Sequence, residues 1–207
     1  MPLYKSIAVN PSTNVKIWKI DEPYDELIKP LELTPNSHER VLGMKSSIHQ
    51  RGFLSVRHLL REFGYSDKDL YYNSDGKPHL RDKKHISITH SFTFSAVIVS
   101  NNEVGIDIEK QREKIKIVAE KFIGYEEQYL TEEDPDLVKK LTIIWCAKES
   151  LFKIYEPAGL SFKMNTLVIP FMLEHESTNA WIDHEGTKLK YNIDFLEFEG
   201  FSCAYAT

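Results

Sequence analysis

Two short segments of the chain carry residues whose types and spacing could do chemistry. In the first, apolar and acidic residues alternate, as in a strand that places Asp107 and Glu109 side by side on one face. In the second, Glu149 and Lys153 lie one turn apart on a predicted helix. If that helix faces the acidic side of the strand, three carboxylates and an ammonium converge. Oxygen ligands of this kind suit a hard divalent cation that holds a phosphate, so the two segments favour phosphoryl transfer.

The elements that must position these residues follow from periodicity and turn signals. Alternation predicts strands over 14–20, 85–89, 96–100 and 105–109, and weaker strand patterns cover 166–169, 178–182, 187–196 and 200–206. Helical spacing predicts helices over 35–63, 113–122 and 137–155, and residues 75–78 form a turn by composition. Each half of the chain thus combines strands with one dominant helix. The fold class is α+β, with a junction near residues 101–102.

Size and composition describe an ordinary globular protein. The 207 residues suffice for one sizeable domain or two small ones, and 42% of them are hydrophobic and 28% charged. No apolar run is long enough to cross a bilayer, and residues 1–10 lack the pattern of a signal peptide. Cys146 and Cys203 are predicted to be buried thiols. We therefore expect a cytoplasmic protein that does not bind membranes.

The net charge of −5 is unevenly distributed along the chain. Residues 1–90 hold fourteen Lys and Arg against eleven Asp and Glu, whereas residues 91–207 hold twelve against twenty. Six of the eight histidines lie between His38 and His90. This asymmetry suits a protein that binds an anion with its first half and a metal with its second, although chance scatter of surface charge is the simpler alternative. The negative total argues against nucleic acid as a partner.

Each motif alone has an ordinary structural explanation. Alternating strands with solvated acids on the outer face are common, and a helix with Trp145 and Phe152 buried would look like the second segment. Lys153 could simply pair with the glutamate one turn earlier. Glu127 could be a solvated acid at the start of a helix, and His90 a hydrogen-bonded structural histidine. The combination of motifs is therefore more informative than any one of them.

Taken together, five elements resemble the 4′-phosphopantetheinyl transferases, of the longer single-chain type that activates carrier proteins in fatty-acid, polyketide and nonribosomal-peptide synthesis. The matching elements are Gly76-Lys77-Pro78, the Ile-Ser-Ile-Thr-His-Ser of 86–91, the Val-Gly-Ile-Asp-Ile-Glu of 104–109, Phe122 with Glu127, and the Trp-Cys-Ala-Lys-Glu-Ser-Leu-Phe-Lys of 145–153. The resemblance covers residues 35–160, and its last two blocks are the specific ones. One departure is Ser87-Ile88-Thr89-His90, where the family often has Asn-x-Ser-His.

The resemblance implies a fold of two pseudo-symmetric lobes, each a small, mainly antiparallel sheet packed with one dominant helix. Residues 1–101 would form an N-terminal lobe that binds the coenzyme phosphates. Residues 102–207 would form a C-terminal lobe that binds metal and carries the catalytic groups. The coenzyme would lie in the cleft between the lobes. The resemblance also implies a monomer, in contrast to the shorter, trimeric members of the family.

The implied reaction moves the 4′-phosphopantetheine group from coenzyme A to a serine hydroxyl of an apo acyl or peptidyl carrier protein, and releases 3′,5′-ADP. Asp107, Glu109 and Glu149 are the expected ligands of Mg²⁺, with Mn²⁺ as an alternative ion. Glu127 is the candidate general base toward the carrier serine. Lys153 would meet the transferring phosphate as a point charge.

Further cations are expected around the phosphates and the adenine end of the coenzyme. The candidate coenzyme-binding residues are Lys45, Arg51, Gly76, Lys77, Pro78, Thr89, His90 and Lys153, and Arg57 lies in the same region as the first two. Two other functions compete with the transferase. A metal-dependent phosphohydrolase or nuclease would use the same acids and lysine for water attack. A non-catalytic module that binds a carrier protein or the coenzyme would not need all of them.

Overall fold

The structure is a computed structural model that describes residues 3–155 and 157–207. It divides into two compact units at the bond between Glu103 and Val104. Each unit combines an antiparallel sheet with one long helix, which confirms the predicted α+β class. Within the described ranges, no helix is both long enough and apolar enough to cross a membrane.

The described residues of the first unit form six strands. They are β1 (Leu3–Asn10), β2 (Thr13–Lys19), β3 (Leu70–Tyr72), β4 (Pro78–Leu80), β5 (His85–Ser91) and β6 (Phe94–Ser100). Four of them form an antiparallel sheet in the order β1-β2-β6-β5, and β3 and β4 form a separate hairpin. Strands β2, β5 and β6 were predicted, but β1 was not. It is an edge strand with mostly exposed side chains, so its sequence lacks the alternation that a buried face imposes.

Three helices complete this unit: α1 (Tyr24–Ile28), α2 (Pro35–Leu42) and α3 (Ser47–Glu62). The apolar stripe of α3, including Phe53, Val56 and Leu60, is buried in the core of the unit. The prediction of one continuous helix over 35–63 is wrong. Gly43 caps α2 through its backbone N–H, and the low helix propensity of glycine and the serines that follow favours a break there.

The second unit carries the C-terminal half of the chain. Its elements are β7 (Gly105–Lys110), α4 (Lys114–Val118), α5 (Leu137–Ile154), α6 (Phe162–Asn165), β8 (Thr166–Val168), β9 (Ser177–His184), β10 (Thr187–Phe198) and β11 (Phe201–Ala206). The five strands form one antiparallel sheet in the order β7-β11-β10-β9-β8. All five strands and α5 were predicted to within a few residues. The helix predicted over 113–122 is shorter, because α4 gives way to a 3₁₀ turn at Ala119–Lys121.

Helix α5 lies directly on β7 and β11. A side chain at Gly105 would place its Cβ 2.7 Å from the backbone carbon of Ser150, so the absence of one lets the helix approach the strand. The Ser150 hydroxyl donates to the Ala204 oxygen at 3.0 Å, and the thiol of Cys146 donates to the Ser202 oxygen at 3.5 Å. Both cysteines are buried thiols, as predicted.

Candidate active site

The acidic pair of β7 lies on the face of the strand that α5 covers. Asp107 shares this face with Gly105, since alternate residues of a strand point to the same side. Asp107 is only 6% exposed, and Ile106 and Ile108 on the other face are fully buried. Glu109 is half-buried near the end of the strand. The acids of β7 are therefore not the solvated outer face that the simpler explanation of this motif required.

Lys153 joins the last turn of α5 to this strand. Its Nζ donates to Asp107 Oδ1 at 2.8 Å and to the backbone oxygen of Ile106 at 2.7 Å. The alternative in which Lys153 merely pairs with Glu149 is thus replaced by a bond that ties helix to strand. Lys153 of this stripe of α5 therefore lies against the acidic side of β7.

Glu149 lies one turn before Lys153 in the same negative environment. Burial raises the pKa of Glu149 to about 7, the charges of Asp107 and Glu109 add to the shift, and Lys153 opposes it. Burial also raises the pKa of the neighbouring Cys146 thiol, again with help from Asp107. The charges of Asp107 and Glu109 are therefore close enough to disfavour the ionised form of Glu149.

A divalent cation fits the chemistry of this donor set. Asp107, Glu109 and Glu149 supply only oxygen ligands, as Mg²⁺ and Mn²⁺ prefer, and a bound cation would offset the repulsion that Asp107 and Glu109 exert on ionised Glu149. In the described part of the chain, however, no group of three or more His, Cys, Asp or Glu side chains is arranged to hold a metal ion, so the three carboxylates match a divalent cation in donor type and not in arrangement.

A surface pocket of about 200 Å³ opens beside this cluster. Its lining includes Glu109 and Trp145 together with the cationic residues Lys110, Arg112 and Lys114. The pocket therefore places positive charge and an aromatic surface next to one of the candidate metal ligands. A small anionic group in it would meet these three cationic residues as well as Glu109.

Trp145 belongs to a run of aromatic rings that packs α5 against the rest of the unit. Its ring centroid lies 5.1 Å from that of Phe122 and 5.6 Å from that of Phe162, both in edge-to-face contacts. Phe162 in turn contacts Phe152 at 5.7 Å. These contacts agree with the expected packing role of Trp145. Phe152, which the alternative explanation placed in the core, is half exposed.

The turn at Tyr125–Gln128 carries two adjacent acids with opposite surroundings. The Glu127 side chain is 56% exposed, and its Oε1 lies 3.4 Å from Lys163 Nζ. Glu126 is fully buried and forms an ion pair at 2.9 Å with Lys148, which is also fully buried. Lys148 interrupts the apolar stripe formed by Leu141, Ile144 and Leu151, and this interruption is a usable sequence signal, but neither residue of the pair was predicted.

The candidates in the first unit fall into two groups, of which the first is the β3–β4 hairpin. Gly76 has a φ of 80°, a conformation that glycine adopts easily, and Lys77 and Pro78 follow it. The backbone N–H of Lys77 donates to Asn73 Oδ1 at 2.8 Å. This confirms the turn predicted over 75–78 and places Lys77 at the tip of a tight hairpin.

The second group surrounds the end of β5. His90 is exposed, whereas Thr89 before it is buried. The His90 ring lies against the start of α3, because a Cβ at Gly52 would be 3.1 Å from its Cγ and the His49 ring centroid is 6.0 Å away. The structure thus brings His90 to the helical turn that carries the half-buried Arg51.

Two further cations of this region differ from each other. Lys45 is exposed in the segment between α2 and α3. Arg57, considered with Lys45 and Arg51 as a phosphate-binding cation, is only 4% exposed, and its Nε donates to Asp67 Oδ1 at 3.0 Å. Its guanidinium also lies 3.5 Å from the ring centroid of Phe53. Arg57 is therefore a structural cation within the core of the unit.

Comparison with known proteins agrees with this geometry. Residues 103–206, half of the chain and almost all of the second unit, match the 4′-phosphopantetheinyl transferase superfamily. The chain therefore belongs to this superfamily. It is also 29% identical over 136 residues to the 4′-phosphopantetheinyl transferase gsp of Aneurinibacillus migulanus. That match covers 64% of this chain and 55% of the relative, so the chain spans little more than half the length of the curated relative it matches.

Proposed function

We propose that this protein transfers the 4′-phosphopantetheine group of coenzyme A to a serine hydroxyl of an apo acyl or peptidyl carrier protein, with release of 3′,5′-ADP. The observation that supports the proposal is the contact of Lys153 with Asp107, which links the helix that carries Glu149 to the strand that carries Asp107 and Glu109, within the region that matches the superfamily. The name of the similar transferase supports the same reaction class.

In this proposal Asp107, Glu109 and Glu149 hold Mg²⁺, or Mn²⁺ in its place. The bound ion would neutralise charge on the pyrophosphate oxygens that develops as the phosphoryl group is transferred. Lys153 lies on the same helical stripe and is 27% exposed, so its ammonium can also approach the transferring phosphate. Glu127 is exposed on its turn and is proposed to accept the proton of the carrier serine.

The first unit is proposed to bind the coenzyme by its phosphates and adenine end. His90 and Arg51, which the fold of that unit brings to the same helical turn, would share one anionic group with the exposed Lys45. Lys77, with Gly76 and Pro78 beside it in the hairpin and Thr89 behind His90, completes the proposed set. An ammonium, a guanidinium and an imidazole are the usual partners of phosphate oxygens.

The test is to incubate the protein with coenzyme A, Mg²⁺ and several apo carrier proteins, and then to weigh the carriers intact. The expected result is a mass gain of one phosphopantetheine group that a chelator abolishes. Coenzyme cleavage without a carrier would instead show a phosphohydrolase, and coenzyme binding without turnover on any carrier would show a non-catalytic module.

Variants of the ligand set make the test specific. Asp107→Ala and Glu149→Ala should stay folded and lose at least about 100-fold in kcat/KM, because even outer partners of metal ligands typically contribute about 10- to 100-fold. Glu133→Ala is the matched control, since it removes an exposed acid of the same unit. Normal turnover by either ligand variant would refute the metal assignment.

A further inference from the structure

The ammonium of Lys148 is enclosed by four acceptors from four parts of the second unit. It donates to the oxygens of Phe122 at 2.7 Å, Phe162 at 3.0 Å and Thr166 at 3.1 Å, and to a carboxylate oxygen of Glu126 at 2.9 Å. The side chain has no exposed surface. A substrate therefore cannot touch Lys148, and any influence on a reaction must pass through the groups that it holds.

The carboxylate of Glu126 is equally enclosed. One oxygen accepts the backbone N–H of Gly124 at 3.1 Å, and the other accepts that of Val168 at 2.8 Å. Burial lowers the pKa of the Lys148 ammonium, whereas the charge of Glu126 opposes that shift. The pair thus joins α5 to the turn at Tyr125–Gln128 and to the start of β8 through hydrogen bonds with defined directions.

Both members of the pair are next in sequence to a proposed functional residue. Lys148 precedes Glu149, and adjacent positions of a helix point about 100° apart, so an inward Lys148 directs Glu149 sideways. Glu126 precedes Glu127 in the turn. A Cβ at Gly124 would collide with the backbone oxygen of Lys163, so this turn is tightly packed as well as hydrogen-bonded. Any shift of the pair would therefore move Glu149 and Glu127 together.

Stability alone does not account for a fully buried ion pair. Well-packed apolar residues of similar volume often stabilise a fold as well as a buried ion pair does, because they avoid the desolvation of two charges. Apolar residues, however, cannot bond the three backbone oxygens and two backbone N–H groups that this pair satisfies. Its distinctive contribution is a fixed geometry between α5, the turn and β8.

We infer that Lys148 and Glu126 are positioning residues, which hold Glu149 and Glu127 at the spacing needed for metal binding and transfer. The inference rests on the proposed function for its kinetic consequence, but the metal-binding consequence can be measured without any substrate. In this inference Glu126 fixes the position of the turn that carries Glu127, and Glu126 does not accept the proton of the carrier serine.

The test uses a double variant that carries both Lys148→Met and Glu126→Leu. These substitutions remove both charges and roughly preserve the side-chain volumes. The control variant is Lys139→Met. Lys139 lies on the same helix in a partly exposed pair with Asp136, so the control repeats the substitution without touching the buried pair. Mn²⁺ is titrated into each protein and followed by electron paramagnetic resonance. The kinetic parameters for coenzyme A are measured in parallel.

The double variant should bind Mn²⁺ about tenfold or more weakly and lose about tenfold or more in kcat, with KM for coenzyme A within about twofold of the wild-type value. Its kcat should keep the wild-type pH profile, because neither residue exchanges a proton with substrate. Lys139→Met should change none of these quantities. A folded double variant with wild-type Mn²⁺ affinity and kcat would show that the pair has a structural role only.

Two further outcomes are separable. If the double variant does not fold, Glu126→Gln takes its place, because it keeps the shape of the side chain and removes its charge. Glu126→Gln should show smaller losses of Mn²⁺ affinity and of kcat. Unchanged values of both would overturn the inference. If the wild-type protein binds Mn²⁺ but modifies no carrier, the proposed function fails, while the Mn²⁺ titration of the variants still decides the role of the pair.

Discussion

The Nζ atom of Lys153 lies 2.8 Å from Oδ1 of Asp107 and so joins the last turn of α5 to the second unit's edge strand. The same ammonium donates to the Ile106 backbone oxygen, which fixes its position along β7. Glu149 is one turn earlier on the helix and experiences the charge of both residues. This contact thus links α5 and β7, the two elements that carry the proposed metal ligands.

Replacement of Lys153 by methionine should affect both stability and activity. We expect the free energy of unfolding to fall by about 1–3 kcal/mol, because the largely buried Asp107 loses a charged hydrogen-bond donor. We expect kcat/KM to fall by about tenfold or more, as for the loss of a charged contact of 1.4 kcal/mol or more to the transferring phosphate. Urea denaturation and the carrier-mass assay measure the two effects.

Lys188→Met is the matched control for this prediction. Lys188 pairs with Asp183 at 3.0 Å, but its side chain is 70% exposed, and exposed pairs contribute about 0–1 kcal/mol. Equal losses in the two variants would contradict a special role for Lys153.

The raised pKa of Glu149 should make the metal-free protein less stable as pH rises. Burial first, and the charge of Asp107 second, raise this pKa to about 7 from the ordinary value of 4.5. Between those two values the folded state keeps a proton that the unfolded state has released, so the contribution of Glu149 to the free energy of unfolding falls as pH increases through that window. Above pH 7 the loss is complete.

Glu149→Gln should therefore flatten the dependence of stability on pH between 5 and 7. At pH 8 it should be more stable than the wild type by on the order of 1–2 kcal/mol, after a reduction for the partial exposure of the group. Urea denaturation at several pH values in the presence of a chelator measures both quantities, and Glu133→Gln is the control. Parallel curves for the wild type and Glu149→Gln would show that Glu149 titrates normally.

Much of the fold could be predicted because buried apolar residues recur in the sequence with the period of the helix or strand to which they belong. Strands β5, β6 and β7 alternate or are continuously apolar, and α5 begins at the predicted residue and ends one residue early. The break between α2 and α3 was missed since apolar spacing continues across it, and only Gly43 and the serines after it mark the interruption. Strand β1 was missed because an edge strand with exposed faces has no pattern to show.

The residue types of the candidate site could be predicted from the sequence, but the orientations of their side chains could not. The meeting of Asp107 with the stripe of α5 was predicted conditionally, since periodicity shows which residues share a face but not what covers that face. Adjacent acids such as Glu126 and Glu127 differ only in their tertiary surroundings, and the buried member could not be chosen from local sequence. The buried ion pair of Arg57 could not be predicted for the same reason, because its partner Asp67 lies on a separate turn.

The contact between Gly105 and α5 predicts that Gly105→Ala cannot be accommodated. The new Cβ would overlap the backbone oxygen of Ser150 and lie 2.7 Å from its carbonyl carbon, and neither atom can move without shifting the helix. We expect a loss of about 1–3 kcal/mol in the free energy of unfolding, as for other overpacked cores, and weaker Mn²⁺ binding because β7 and α5 separate.

Gly43→Ala is the control for this substitution. A Cβ at that position would meet backbone oxygens at 3.5 and 3.7 Å, which is ordinary van der Waals contact. Thermal and urea unfolding should therefore show little change for Gly43→Ala. A Gly105→Ala variant with wild-type stability would mean that the helix does not lie as close to β7 as the structure shows.

The buried ion pair between Arg57 and Asp67 predicts that Arg57 contributes to stability rather than to coenzyme binding. Both side chains are less than 5% exposed, and Asp67 also accepts hydrogen bonds from the backbone and hydroxyl of Thr34. Arg57→Met would leave the buried carboxylate without its cation, so the free energy of unfolding should fall by about 3–5 kcal/mol.

Arg61→Met is the control for this prediction. Arg61 lies on the exposed face one turn later, and its replacement removes only a hydrogen bond to the Pro30 oxygen, so it should cost about 1 kcal/mol or less. Urea denaturation measures both changes, and calorimetric titration with coenzyme A below the unfolding transition should give wild-type affinity for each variant. Retained stability with weakened coenzyme binding in Arg57→Met would instead identify Arg57 as a phosphate-binding cation.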